Sequence, residues 1–163
     1  MKRLWILRHL KSSWDEAGLA DHDRPLAPRG RKAGKRVRQW VADHDVGPDL
    51  VLCSTAVRAR ATLDLIAPAL GAPAIEFEDG LYHAWAEDLV ERLRAVAPGL
   101  EGVLLIGHNP GLHDLAALLA PPGPAAFPTG ALAELQVEVD DWSDLQPGSA
   151  KLSRLVVPRE LAD

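Results

Sequence analysis

The chain has one cysteine, one tyrosine and no long apolar run. Each scarcity removes a class of protein. Cys53, alone, can form neither an internal disulfide nor a Cys-rich zinc site. The apolar runs break well short of the roughly 20 residues that a membrane span needs. Met1-Lys2-Arg3 followed by Leu4-Trp5-Ile6-Leu7 imitates the start of a secretory signal, but Arg8 and His9 end the apolar stretch, far below the roughly 7–15 residues of a secretory core. A cytoplasmic protein that binds no membrane is the expectation. Acidic residues outnumber basic ones, 23 to 18, giving a net charge of −5 that argues against nucleic acid as a partner. The five tryptophans are spaced for core and loop packing rather than as a base-stacking platform, although Trp14 and Trp85 adjoin candidate site loops.

What is present is alternation. Short β-branched or Leu-rich runs at 3–8, 50–53, 74–77, 103–107, 131–139 and 153–157 read as strands. Between them, Ala33, Val37, Trp40 and Val41 mark one helix, and Val57, Ala61, Leu65 and Ala69 a second. Leu89, Leu93, Val96 and Ala97 mark a third, and a fourth runs from Pro110 to Leu119. The pattern predicts an α/β fold, a three-layer α/β/α sandwich on a mostly parallel central sheet, with residues 1–163 forming one domain. Pro121-Pro122-Gly123-Pro124 reads as a stiff loop crossing the end of that sheet.

Two histidines close apolar runs, His9 after Leu4–Arg8 and His108 after Val103–Gly107. In open α/β sheets the ends where strands become loops gather the chemistry. After His108, Asn109 is a good helix N-cap and Pro110 suits the first helical position, so free N–H groups should face the same space as the imidazole. Such a place suits an anion, phosphate above all. A capping histidine without a ligand is the plainer alternative. It loses weight because Arg8 adjoins His9, and Ser54-Thr55-Ala56-Val57-Arg58 follows the second strand and opens a helix. Arginine makes forked contacts with phosphate oxygens.

These residues resemble the histidine phosphatase superfamily, in its phosphoglycerate-mutase-like branch. The likeness rests on Arg8-His9, on Arg24-Pro25-Leu26 with Arg29-Gly30, on Ser54 to Arg58 followed by Ala59 and Thr62, and on Gly107-His108-Asn109-Pro110. Within it the chain is most similar to the small SixA-type phosphohistidine phosphatases, through Arg8–Trp14, Asp21–Leu26, Leu81-Tyr82-His83-Ala84 and Thr129-Gly130-Ala131. The resemblance implies metal-independent cleavage of phosphohistidine, or of a related phosphomonoester, through a phosphorylated histidine.

It implies His9 as nucleophile, with Arg8, Arg58 and His108 as the clamp around the phosphoryl oxygens, Lys11, Arg24 and Asn109 as substrate-binding residues, and no cofactor. Chemically, a neutral imidazole can attack phosphorus while guanidiniums take up the redistributed charge, and nearby cations keep that imidazole unprotonated. Many relatives carry a glutamic acid in an L-x-E segment where this chain has Leu81-Tyr82-His83. His83 is the candidate acid, Glu87 and Asp88 are substitutes, and a plain surface loop histidine is the alternative. Leu10 stands where most of the superfamily has glycine, and is expected to narrow the pocket rim.

The expected partner is a phosphorylated protein or a small phosphorylated metabolite, and the expected state a monomer. A phosphatase or mutase for small molecules is the second reading, and a phosphate-binding module without catalysis the third. A cysteine-phosphatase loop is excluded, because only four residues separate Cys53 from Arg58 and none is glycine. Asp21-His22-Asp23 has metal-ligand residue types, but adjacent ligands on an extended chain point apart, so no metal is expected. Arg29, Arg31, Lys32, Lys35, Arg36 and Arg38 crowd one helical segment. They form either a solvated face or a surface that steers an acidic phosphoprotein.

Overall fold

A computed structural model describes residues 1–162. Its centre is a six-stranded sheet of β1 (Lys2–Arg8), β2 (Leu50–Ser54), β3 (Ala74–Glu78), β4 (Gly102–Gly107), β5 (Leu132–Val137) and β6 (Ala150–Val156). The spatial order is β3-β2-β4-β1-β5-β6. The first four of these are mutually parallel, while β5 runs antiparallel to β1 and β6 antiparallel to β5. Among the described residues four α-helices flank the sheet, α1 (Pro28–Asp43), α2 (Val57–Ile66), α3 (Ala86–Arg94) and α4 (Gly111–Leu119).

Strand alternation sorts the core into two layers. Leu4 and Ile6 of β1 pack on the α3–α4 side, together with Val103 and Leu105 of β4. Trp5 and Leu7, with Val51, Cys53, Leu104 and Ile106, pack under α1 and α2. The central strands β1, β2 and β4 are buried on both faces, which is why they read as unbroken apolar runs. One helical face departs from expectation. In α2 the buried residues are Arg58, Ala59, Thr62, Leu63 and Ile66, whereas Val57 is exposed. The helix is rotated so that a charged residue, Arg58, turns inward at its first turn, and apolar periodicity alone does not anticipate an inward arginine.

Away from the two histidines, β5 carries a buried carboxylate. Glu134 accepts hydrogen bonds from Arg3 Nη2 (2.8 Å), Trp5 Nε1 (3.0 Å), Ser153 Oγ (2.9 Å) and Arg154 Nε (2.8 Å). Burial by itself would raise its pKa, but the bonds from Arg154, Arg3 and Ser153 outweigh that and hold it at about 2. Because the folded value lies below the unfolded one, the stabilisation is complete above the ordinary carboxylate range and is lost as pH falls toward 2. Glu134→Gln is therefore expected to lower the unfolding free energy at pH 7 by about 2 kcal/mol. In urea titrations the gap to wild type should close as pH drops below about 4, and a gap that is constant with pH would contradict this account.

Candidate active site

Strands β1, β2 and β4 deliver Arg8, Ser54 and Gly107 to one end of the sheet. The chain leaving β1 is then tied down on every side. His9 N–H donates to Gly107 O (3.1 Å), Gly130 N–H to the Arg8 and His9 carbonyls (3.1 and 3.0 Å), and Ala27 N–H to Lys11 O (2.9 Å). Leu10 N–H donates to Thr62 Oγ1 at 3.0 Å, and that hydroxyl donates to Arg58 O at 2.7 Å. Helix α1 closes over this segment through Gly30, where any Cβ would collide with the Lys11 carbonyl oxygen.

The imidazole of His9 is buried, with Nδ1 2.7 Å from Leu10 O. A carbonyl only accepts, so Nδ1 bears the proton and Nε2 the lone pair. That lone pair faces Arg58, whose Nε–H lies 3.4 Å away. Burial is the main cause that lowers the His9 pKa to about 4; the Leu10 carbonyl opposes it, and the charges of Arg58, Arg8 and Arg24 add to it. The ring is neutral at physiological pH.

His108 stands beside it, ring centres 5.1 Å apart. Its Nε2 is 2.8 Å from Ser54 Oγ. Ser54 is fully buried and its Oγ accepts the Ala56 N–H (3.2 Å); among the described residues Nε2 is the only acceptor within reach of its own proton, so that proton is directed at Nε2 and the His108 proton resides on Nδ1. Nδ1 is buried and, among the described residues, has no partner; the same is true of Arg8 Nε. Burial, then the neighbouring His9 and Arg58, bring the His108 pKa down to about 3. Two buried donors without acceptors at the same end of the sheet are what an oxyanion would satisfy.

Arg58 is held by Asp21, through Nη1 to the Asp21 carbonyl (2.7 Å) and Nη2 to Oδ2 (3.0 Å). The same carboxylate accepts from Tyr82 Oη and from Arg24 Nη1. Its pKa lies far below the ordinary carboxylate range, first because of the Tyr82 bond, then because of Arg24 and Arg58 against the opposing effect of burial. Asp21 is thus a fixed anion that orients Arg58. Residue type alone presents it only as a metal ligand. The usable signal is its spacing, an acid three residues before Arg24, which a single 3-10 turn (Asp21–Asp23) folds into an ion pair.

A pocket of about 350 Å³ opens here, lined by Arg58, His108, Asn109 and, from the other wall, Tyr82, His83 and Trp85. The walls meet because Gly111, first residue of α4, leaves the Ala84 carbonyl the space that a Cβ would occupy. His83 reaches the pocket, its ring 3.9 Å from that of Tyr82. Of the substitutes, Asp88 caps α3 by accepting the Trp85 N–H (2.9 Å), and Glu87 is not in the pocket wall.

Arg8 and His9 are not among the described residues of the pocket wall, and several other expected residues point elsewhere. Leu10 does not narrow this pocket: it is buried with its methyls against Gly34 and Gly130, because His9 and Leu10 point to opposite sides of the chain. Lys11 faces a different cleft. Arg24 does not face the pocket, since its guanidinium is bonded to Ser12 Oγ, Ser13 O and Asp21 and lies under Trp14, 3.2 Å from the ring centre. Helix α4 begins at Gly111 rather than Pro110. Asn109 still caps it, accepting the His113 N–H at 3.2 Å, and its amide donates to Phe127 O (2.9 Å), a carbonyl shared with Arg8 Nη1 (3.1 Å).

The chain is similar to known proteins in sequence and in fold. The model of the histidine phosphatase superfamily (branch 1) matches residues 4–84. An uncharacterized protein of Mycobacterium tuberculosis is 38% identical over 163 residues, covering 94% of this chain and 100% of that one. A structure from Nakamurella multipartitia, of a protein provisionally named phosphohistidine phosphatase SixA, superposes with a TM-score of 0.85 at 27% identity, covering 96% of each chain. The protein histidine phosphatase SixA complexed with tungstate gives a TM-score of 0.82 at 27% identity, covering 97% of this chain and 98% of that one.

The burial of His9 has a direct consequence. In imidazole NMR titrations His9 and His108 should stay neutral from about pH 8 down to about 5, the range in which an unperturbed histidine, near ~6.5, takes up its proton. Protonation of His9 near pH 4 should set the acid limb of kcat/KM once the ionisation of the substrate is allowed for. A His9 midpoint at or above ~6.5 would contradict the neutral, buried imidazole.

Proposed function

The chain belongs to the histidine phosphatase superfamily, and from that premise we propose that it hydrolyses phosphohistidine on a protein through a covalent intermediate on His9. The observation that carries the reading is the pairing of an unprotonated His9 Nε2 with two unpartnered buried donors, Arg8 Nε and His108 Nδ1–H. An attacking lone pair and the acceptor positions for the transferred oxygens share one site.

The reaction balances without a strong acid. His9 Nε2 attacks phosphorus, the substrate P–N bond breaks, and its electron pair stays on the departing nitrogen. A substrate imidazole protonated on its other nitrogen leaves neutral, so no proton need be supplied to it. The positive charge that develops on the His9 ring is directed at Leu10 O through Nδ1–H. Arg58, Arg8 and His108 take up charge on the phosphoryl oxygens. Water then attacks phosphorus, the His9–P bond breaks, Nε2 recovers its lone pair, and the water proton leaves with the phosphate. His83, in the pocket lining, is our candidate to carry that proton from the water to a phosphate oxygen.

Two features support a phosphohistidine over an alkyl phosphate. The position that would hold a glutamic acid carries a histidine at the pocket rim, adequate for a nitrogen leaving group but weak for an alkoxide. The rim rings of Tyr82, His83 and Trp85, the last 62% exposed, offer flat faces at a mouth open enough for a side chain still attached to a protein.

His9→Ala should abolish turnover while leaving the fold intact, and acid-labile, base-stable phosphate should accumulate on the wild type under rapid quench. Across a phosphohistidine-bearing protein, 3-phosphoglycerate and an aryl phosphate, kcat/KM should be greatest for the first. A preference for phosphoglycerate by about an order of magnitude would transfer the assignment to small-molecule phosphatases.

A further inference from the structure

The larger of the two clefts is not over the histidines. It measures about 480 Å³ and includes Lys11, Arg29, Lys32, Arg36 and Arg159 in its lining, with no carboxylate among the described residues of its wall. Five cations meet there in a chain whose net charge is −5. Among the described residues, Lys11, Arg29, Lys32 and Arg159 make no ion pair and no side-chain hydrogen bond, and all four are exposed. These four like charges repel one another, and an anionic occupant relieves that repulsion.

The cleft and the catalytic pocket have no described lining residue in common, yet they are built on the same backbone. Lys11 lies two residues after His9, within about 7 Å along the chain. Pro128 and Thr129 line the cleft, while the next residue, Gly130, binds the Arg8 and His9 carbonyls. Leu10, buried between Gly34 and Gly130, is the partition.

The basic run on α1 divides accordingly. Arg29, Lys32 and Arg36 line the cleft, whereas Arg31 donates to Leu26 O (3.0 Å) and Lys35 is exposed outside the cleft. Arg29 to Arg36 spans about seven residues of helix, about 10 Å. A single phosphate is too small to meet a row of that length. An extended peptide, at about 3.3 Å per residue, covers it with about three or four residues.

We infer that this cleft is a docking site for an extended acidic segment of the phosphoprotein substrate, held beside the loop that presents His9. The inference rests on the phosphoprotein reading of the active site and names the feature by which a partner is chosen. Partners carrying an Asp/Glu-rich stretch near the phosphohistidine are bound in the cleft while the modified side chain enters the pocket.

The test is direct binding of a dansyl-labelled, unphosphorylated Asp/Glu hexapeptide, read by fluorescence anisotropy. Wild type should bind it, with affinity falling as salt rises, and the double variant Lys32→Glu, Arg159→Glu should lose about tenfold or more. Lys35→Glu, a charge reversal on the same helix outside the cleft, should bind within about twofold of wild type, and all variants should turn over an aryl phosphate at the wild-type rate. No binding by wild type, equal losses in Lys35→Glu and the double variant, or displacement of the peptide by an equal concentration of inorganic phosphate would each overturn the proposal, the last by assigning the cleft to a small anion. Since the hexapeptide carries no phosphohistidine, cleft-specific binding without phosphohistidine turnover would instead reject the functional reading and leave the docking site standing.

Discussion

The hydrogen bond from His9 Nδ1 to the Leu10 carbonyl is the interaction on which the site depends. It fixes the tautomer, aims Nε2 at Arg58, and provides a place for positive charge when that nitrogen forms a bond. The carbonyl is held because Leu10 N–H is anchored to Thr62 on α2 and the Leu10 side chain is wedged between Gly34 of α1 and Gly130. A side chain at either glycine would push on Leu10 before it reached His9. The packing of two helices against the sheet is thereby converted into the orientation of one imidazole.

Around that imidazole the charges are arranged to be unequal. Arg8, Arg24 and Arg58 are gathered near two histidines; burial and Arg58 keep both rings neutral, and Arg8 and Arg24 add to the effect at His9. Such a cluster would be difficult to hold together without an anion. Asp21 supplies it, bonded to Arg24, Arg58 and Tyr82, and its strongly lowered pKa excludes it as a proton donor near neutrality. The site therefore keeps one permanent negative charge at its outer side and leaves Arg8 Nε and His108 Nδ1 unsatisfied within. An incoming phosphoryl group finds donors already in place, and the protein need not reorganise to meet it.

All six strands are legible in the sequence, because β1, β2 and β4 are buried on both faces and the turns between elements carry glycine or proline. The neighbourhood of His9, Arg58 and His108 is legible for a related reason: each follows a strand of one parallel set, so all must emerge at the same end. What is not legible depends on side-chain direction. Arg24 and Lys11 belong to segments beside His9, but Arg24 turns to Asp21 and Lys11 to the second cleft. The inward face of α2 escapes apolar periodicity because its first turn buries an arginine. Leu10 misleads because a neighbour in sequence to the catalytic histidine does not share its direction.

If the second cleft docks the substrate as proposed, two clefts would let a small chain be selective without enclosing its substrate. The donors of the candidate pocket suit a phosphoryl group, and Trp85 is exposed at its mouth, so by itself it would discriminate weakly among phosphorylated side chains. Closing a lid over the substrate would add contacts but would exclude a side chain still attached to a folded protein. Recognition at a distance would avoid that conflict, because the added contacts would fall on the neighbourhood of the modified residue rather than on the reacting group. On the proposed reading, binding energy gathered along α1 would act at His9 across Leu10, a residue whose position is set by Gly34 and Gly130.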